Sequence, residues 1–288
     1  LLRAIAASEQ VDNDFIKQHY PFDEQRKLGS FIAGRFGYDW ERGRLDLAPH
    51  PFTTSFGARD VRITTRFLEK DGMSALFSTM HETGHALYDQ GLSAKYRDTS
   101  LDRAASYAIH ESQSRLWENL VGRSREFCGF AFPVMQMLFP QHLGNVSLEQ
   151  FYRGINRVEP SLIRVEADEA TYNLHIMLRF EIETGLLEGS LQARDLPEIW
   201  NTRMQEYLGL TPPDDSRGVL QDVHWSSGLI GYFPTYALGN LISAQLWDRM
   251  LADHPEIPTA VSEGDFRAIL AWLRENVHRH ASRYNPLD

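Results

Sequence analysis

A chain of 288 residues is long enough to bury a large core without staples, and its 42% apolar and 24% charged residues are ordinary for a globular protein. The formal net charge of -10 argues against nucleic acid and anionic membranes as partners. The one cysteine, Cys128, excludes an intrachain disulfide and a cysteine-built zinc site, and fits a reducing compartment. No run of about 18 apolar residues and no leader-like N-terminus is present, so a cytoplasmic protein with no membrane partner is expected.

Helical periodicity opens the chain at residues 4–19 and 23–35. From Arg44 to Phe67 it gives way to Thr, Val and Ile in alternation, which predicts short strands in a hairpin or small sheet. Such a strand either holds an extended peptide through main-chain hydrogen bonds or is purely structural, and the residues weigh both readings equally. A helix follows, started by Asp71-Gly72 and stopped by Gly91, with Leu76, Met80 and Leu87 as its apolar stripe. Leu101–Val121 and residues 129–143 read as the next helices, then Ser147–Asn156 with Ser147 as N-cap and Gln150 three residues on. A long helix is expected over Pro160–Gly185 and another over 196–208. Residues 211–218 form a Pro/Asp loop, and helices over 233–250 and 264–283 close the chain. With no repeat and no linker, one mostly helical domain over residues 1–288 is expected.

The chemistry concentrates in His81-Glu82-Thr83-Gly84-His85. HExxH on a helix sets two imidazoles one turn apart on one face, the spacing of two zinc ligands, with Glu82 beside them as general base. A carboxylate from a second helix would complete three ligands and leave a position open for water. Glu111, in His110-Glu111-Ser112-Gln113, is preferred; Glu118, two turns on along the same face, is the alternative ligand or a partner to a ligand. Arg164 reads either as an i,i+4 ion pair with Asp168 or as a guanidinium gripping a substrate carboxylate, and alone the ion pair is favoured. His224, Tyr232 and Tyr236 lie in a segment dense in polar and aromatic groups, either as core residues or as groups facing a developing oxyanion. His175 reads as a packed core histidine; His278 and His280 favour a helix C-terminus.

Six strings in order resemble the M32 family of zinc metallocarboxypeptidases. His50-Pro51-Phe52 resembles its HPF motif and Asp60-Val61-Arg62-Ile63-Thr64 its DxRxT. His81–His85 is the HExxH and His110–Gln113 resembles the HES/GQ string. Ile163–Asp168 resembles IRxxAD, and Gly218–Trp225 resembles GxxQDxHW. The resemblance implies a mostly α, gluzincin-like fold with a small β-sheet beside a metal-site groove. It implies release of single C-terminal residues from peptides with a free carboxylate, in the cytoplasm, by a protein that is commonly a homodimer. It assigns His81, His85 and Glu111 to zinc, for which cobalt or manganese can substitute, and Glu82 to catalysis. His224 and Tyr236, the latter preferred to Tyr232, become transition-state stabilisers. Arg164 becomes the residue that grips the C-terminal carboxylate, with Asp60, Arg62, Gln221 and Tyr232 as further substrate-binding candidates. Family members are longer before His50, where a lid region is expected. The alternatives are therefore a zinc- and peptide-binding relative of low activity and an oligopeptidase with an open groove.

Overall fold

The structure is a computed structural model and describes residues 4, 5, 8 and 11–286. The chain divides into a larger compact unit, Asp12–Ile155 with Gly239–Asp288, and a smaller one built on Asn156–Leu238.

In the larger unit the first helix is α1, Phe22–Phe36; before it the described residues hold a single 3-10 turn, Asp14–Lys17. Of the helix expected over 4–19, residues 4 and 5 are helical and 14–17 form only the 3-10 turn, while residues 6, 7, 9 and 10 lie outside the described residues. Three short strands follow: β1, Leu45–Leu47; β2, Thr53–Ser55; and β3, Val61–Thr65. β3 is central, parallel to β1 with Leu45 opposite Ile63 and antiparallel to β2 with Thr53 opposite Ile63. Val61 and Ile63 turn inward and Arg62 outward, the alternation a one-face-buried sheet requires.

The sheet packs on α2, Ser74–Gln90, the central helix of the unit. The Asp71 carboxylate accepts from the backbone N–H of Met73 (3.1 Å) and Ser74 (3.0 Å), which fixes its start. Buried Thr79 and Thr83 return their hydroxyls to carbonyls four residues back, so their burial leaves no orphaned donor. α3 spans Tyr107–Arg115 and runs on as a π-helical stretch, Leu116–Val121. It starts six residues later than its periodicity indicates, because Ser106 supplies the cap, accepting from the Ile109 N–H at 3.1 Å. α4 (Arg125–Leu138), α5 (Pro140–Leu143) and α6 (Leu148–Ile155) follow. Ser147 and Gln150 cap α6 reciprocally.

The smaller unit pairs α7, Glu169–Leu187, with α8, Leu196–Leu208, around Leu178, Ile182, Trp200 and Met204. The long helix expected from Pro160 is shorter. Asp168 accepts from the N–H of Ala170 and Thr171 and caps α7, and Arg164 sits outside it in a 3-10 turn. α9, Pro234–Asp253, carries the chain back to the larger unit, completed by α10 (Ile257–Ser262) and α11 (Arg267–Asn276). There Phe36, Trp117 and Phe266 pack ring on ring at the core. His278 follows α11 in a 3-10 turn and is fully buried, bonded through Nε2 to Gln113 Oε1 at 2.9 Å. Burial pushes its pKa down to about 3, so it is a neutral core group, not the cation at a helix end that the sequence indicates.

α2 and α3 meet at Gly84. A Cβ there would lie 2.6 Å from the Gln113 carbonyl oxygen and 2.7 Å from Ser114 Cα. Ala in place of Gly in a helix gains about 1 kcal/mol of propensity. Backbone cannot yield as a flexible side chain does, and overpacking costs about 1–3 kcal/mol. Gly84→Ala is therefore expected to lower stability in urea denaturation and to weaken metal binding by moving Glu111 away from α2. A gain in stability with unchanged metal affinity would contradict this packing account.

Candidate metal centre

One helical turn separates His81 and His85 on α2, and Glu111 on α3 faces both. His81 Nε2 lies 3.8 Å from Glu111 Oε1 and His85 Nε2 3.5 Å from Glu111 Oε2. Among the described residues these three form the group able to hold a metal ion, their donor atoms lying within 4.8 Å of one another. Two imidazole nitrogens and a carboxylate oxygen suit a divalent transition metal. Glu118 does not face the same point: it meets the other nitrogen of His81, Nδ1, at 2.8 Å. Arg115 ties the two carboxylates together, donating to Glu111 Oε1 and Glu118 Oε2, each at 3.2 Å. A second imidazole, His110, stands 2.6 Å from His85, Nδ1 to Nδ1.

Electrostatics sharpen this arrangement. Burial pulls the His81 pKa down, but Glu111 and Glu118 outweigh it and hold it up at about 9. His85 moves the opposite way, lowered by burial and by the facing His110 and His81. Burial would raise the Glu111 carboxyl, yet His81, His85 and Arg115 keep it well below the usual carboxylate range. Glu118, against Arg115 and His81, is held at about 2 despite its own burial. Both acids are therefore carboxylates at neutral pH.

Glu82 is buried beside the ligands, and the Thr53 hydroxyl of β2 donates to its Oε2 at 2.7 Å. Asp60 and Arg62, candidates for substrate contact, are paired with each other by two bonds of 2.7 Å on the outward side of β3. The Arg62 guanidinium lies 5.3 Å from the Phe56 ring centroid.

In the smaller unit the other candidates form a polar cluster. Arg164 pairs with Asp222, not Asp168: its Nη2 is 2.7 Å and its Nε 3.2 Å from Asp222 Oδ1. Its Nη1 donates to the Tyr172 hydroxyl at 2.8 Å. Three of the five N–H groups of a guanidinium are thereby engaged, which leaves two for a ligand. Arg179, fully buried, donates through Nε to Asp222 Oδ2 at 2.7 Å. Gln221 is a clamp of the fold, accepting from the Arg164 backbone N–H and from Arg179 Nη2 and donating to the Leu162 and Arg217 carbonyls. His224 Nε2 and the Tyr236 hydroxyl are 2.9 Å apart, while Tyr232 meets His224 by ring contact at 5.3 Å between centroids.

Thr53, Asp89, His110, Arg115, Tyr172, Arg179 and Asp222 belong to these clusters without being marked as site groups by the motifs. His110 and Asp222 stood inside recognised strings; Thr53 and Arg179 carry no local signal, since only the fold brings them to Glu82 and Asp222.

Burial would raise the Asp222 carboxyl, but Arg164 and Arg179 hold it well below its ordinary value. A carboxyl depressed on folding stabilises above its unfolded pKa, near 4, and that contribution fades as pH falls through the folded value. Asp222→Asn leaves two buried guanidinium groups poorly balanced and is expected to cost about 3–5 kcal/mol at pH 7. Denaturant titrations should show the deficit narrowing below about pH 4; a loss under about 1 kcal/mol at pH 7 would refute the pairing as a stabilising element.

The profile of the Carboxypeptidase Taq (M32) metallopeptidase family matches residues 1–288. Carboxypeptidase 1 of Bacillus subtilis is 45% identical over 289 residues, covering 100% of this chain and 58% of that protein. Thermostable carboxypeptidase 1 of Thermus thermophilus is 46% identical over 284 residues, covering 99% and 56%. The crystal structure of the M32 carboxypeptidase from Deinococcus radiodurans superposes with a TM-score of 0.96 at 46% identity, covering 99% of this chain and 57% of that one. The chain thus spans a little over half the length of the relatives it matches. A mostly helical fold with a small sheet packed on the HExxH helix agrees with these neighbours, and this chain belongs to the M32 family of metallopeptidases.

Proposed function

We propose that this protein is a metallocarboxypeptidase that releases single residues from the C-termini of peptides, with zinc as its metal. The observation that carries the reading is the convergence of His81, His85 and Glu111 to within 4.8 Å, with the Glu82 carboxylate held beside them. When bound, zinc would polarise the scissile carbonyl and acidify a water molecule.

The residues of the chain supply the rest. Glu82 takes a proton from the attacking water as the C–O bond forms, and delivers it to the amide nitrogen as the C–N bond breaks. Thr53 keeps that carboxylate turned to one side, so its free oxygen need not search for the water. Arg164 offers its two remaining N–H groups to the terminal carboxylate while Asp222 keeps the guanidinium fixed. The His224–Tyr236 pair donates to the oxygen that becomes negative in the transition state. Preference for a free C-terminus is then a matter of charge pairing, so amidated peptides should be poor substrates.

General base catalysis contributes about 10²–10⁴-fold. Glu82→Gln is expected to keep the metal and to lower kcat by at least about 100-fold. Mass spectrometry of a short peptide incubated with zinc-loaded protein should show a ladder losing one C-terminal residue at a time. Internal fragments would point to an oligopeptidase, and an intact peptide over a zinc-loaded chain would point to a binding relative of low activity; either would overturn the proposal.

A further inference from the structure

A metal-ligating imidazole must present one bare nitrogen, and the group that receives the hydrogen on the other nitrogen sets the ring's orientation. His81 has a direct acceptor in Glu118. His85 has none of that kind: its Nδ1 faces another ring nitrogen, His110 Nδ1, at 2.6 Å. Two ring nitrogens at that distance cannot both be bare or both be protonated, so one hydrogen lies between them. Its owner is decided at the far side of His110. There Nε2 lies 3.2 Å from Asp89 Oδ1, and a carboxylate can only accept. A neutral His110 that gives its hydrogen to Asp89 has a bare Nδ1, so it accepts from His85 Nδ1–H. The His85 Nε2 lone pair is then the one that faces Glu111.

Resting on the metal-centre reading above, we propose that Asp89 and His110 are positioning residues of the centre, joined in a chain from the Asp89 carboxylate through His110 to the ligand His85. Neither residue touches the metal or the substrate. The geometry is set by the same two helices that supply the ligands: Asp89 lies four residues beyond His85 on α2, and His110 immediately precedes Glu111 on α3. The His110 ring packs 4.6 Å from His85 and 5.3 Å from Tyr88, centroid to centroid, which limits its rotation. Asp89 and His110 also line a surface cleft with Ser106 and Tyr107. Water from that cleft would replace a missing His110 at His85 Nδ1, so losing the chain should loosen the ligand rather than orphan it.

Zinc affinity, measured by competition with a chromophoric chelator, is expected to fall about 10–100-fold in His110→Phe, the range for lost outer partners of metal ligands. Nitrogen-15 shifts of the zinc-loaded parent protein should place the ring hydrogen of His110 on Nε2 and that of His85 on Nδ1. A His110→Phe affinity within threefold of the parent, or a His110 hydrogen on Nδ1, would overturn the proposal. Should the variant fail to fold, the ring shifts of the parent decide alone. Both readouts are independent of hydrolysis, so a chain that binds zinc in this way and cleaves nothing would sink the carboxypeptidase reading and leave the positioning role standing.

Discussion

The close approach of α2 and α3 is the constraint on which the metal centre depends. Two of the candidate ligands come from one helix and the third from the other, so the spacing of the helix axes is the spacing of the donor set. Gly84, inside the HExxH string, lets the backbone of Gln113 and Ser114 come into contact with α2. A second glycine works from the opposite side: a Cβ on Gly239 of α9 would lie 2.6 Å from Glu111 Cγ. The Glu111 side chain is thus packed against α9, while the Gly84 contact holds the backbone two and three residues beyond it against α2. The π-helical stretch at Leu116–Val121 adds to this, since its wider turn alters the face on which Glu118 emerges. Glu118 consequently meets the far nitrogen of His81 and does not compete with Glu111 for the near one.

The two polar clusters handle buried charge in opposite senses. Around the histidines the carboxylates of Glu82, Glu111 and Glu118 outnumber Arg115, an excess of negative charge that suits a cation and explains the raised pKa of His81. In the smaller unit one carboxylate, Asp222, faces two guanidinium groups. That excess of positive charge depresses Asp222 and suits an anionic ligand, and burial, aided by Arg179 and Arg164, pushes His175 down to about 3.

Much of this was readable in the residues. The α2 helix, its start at Asp71 and its ligand spacing follow from local rules that the fold obeys. Glu111 could be preferred to Glu118 but not separated from it, because an α-helical reading puts both on one face; the π-helical stretch is invisible to periodicity. Arg164 was misplaced for a related reason: mixed polar and apolar residues from Pro160 onward mimic helical spacing, while the Asp168 cap that ends the irregular segment is a single residue's signal. Its partner, Asp222, lies 58 residues away, and no spacing rule reaches that far. His278 shows the same limit from another side. Its charge state is set by fully enclosing neighbours such as Tyr88 and Gln113, and a helix-end argument presumes solvent.

Register in the small sheet completes the site in a way that local pattern could not. Thr53 stands opposite Ile63, whose side chain is buried against the core, so Thr53 and Ser55 share the face turned to α2 and Thr54 takes the other. A slip of one residue would exchange those faces and present Thr54 in its place, with a backbone shift that removes the hydroxyl from Glu82. The slip is opposed by more than the ladder. Thr64 Oγ1 accepts from the Phe52 N–H at 2.9 Å and the Thr64 N–H donates to the Phe52 carbonyl at 2.9 Å, which pins the residue just before β2. Thr53 also lies within 3.0 Å of the Glu82 carbonyl oxygen, so its hydroxyl is surrounded by acceptors and can only donate. A short edge strand of three residues would be a weak element alone. Here its register is fixed on one side by β3 and on the other by α2, and the carboxylate it orients is the one proposed as general base.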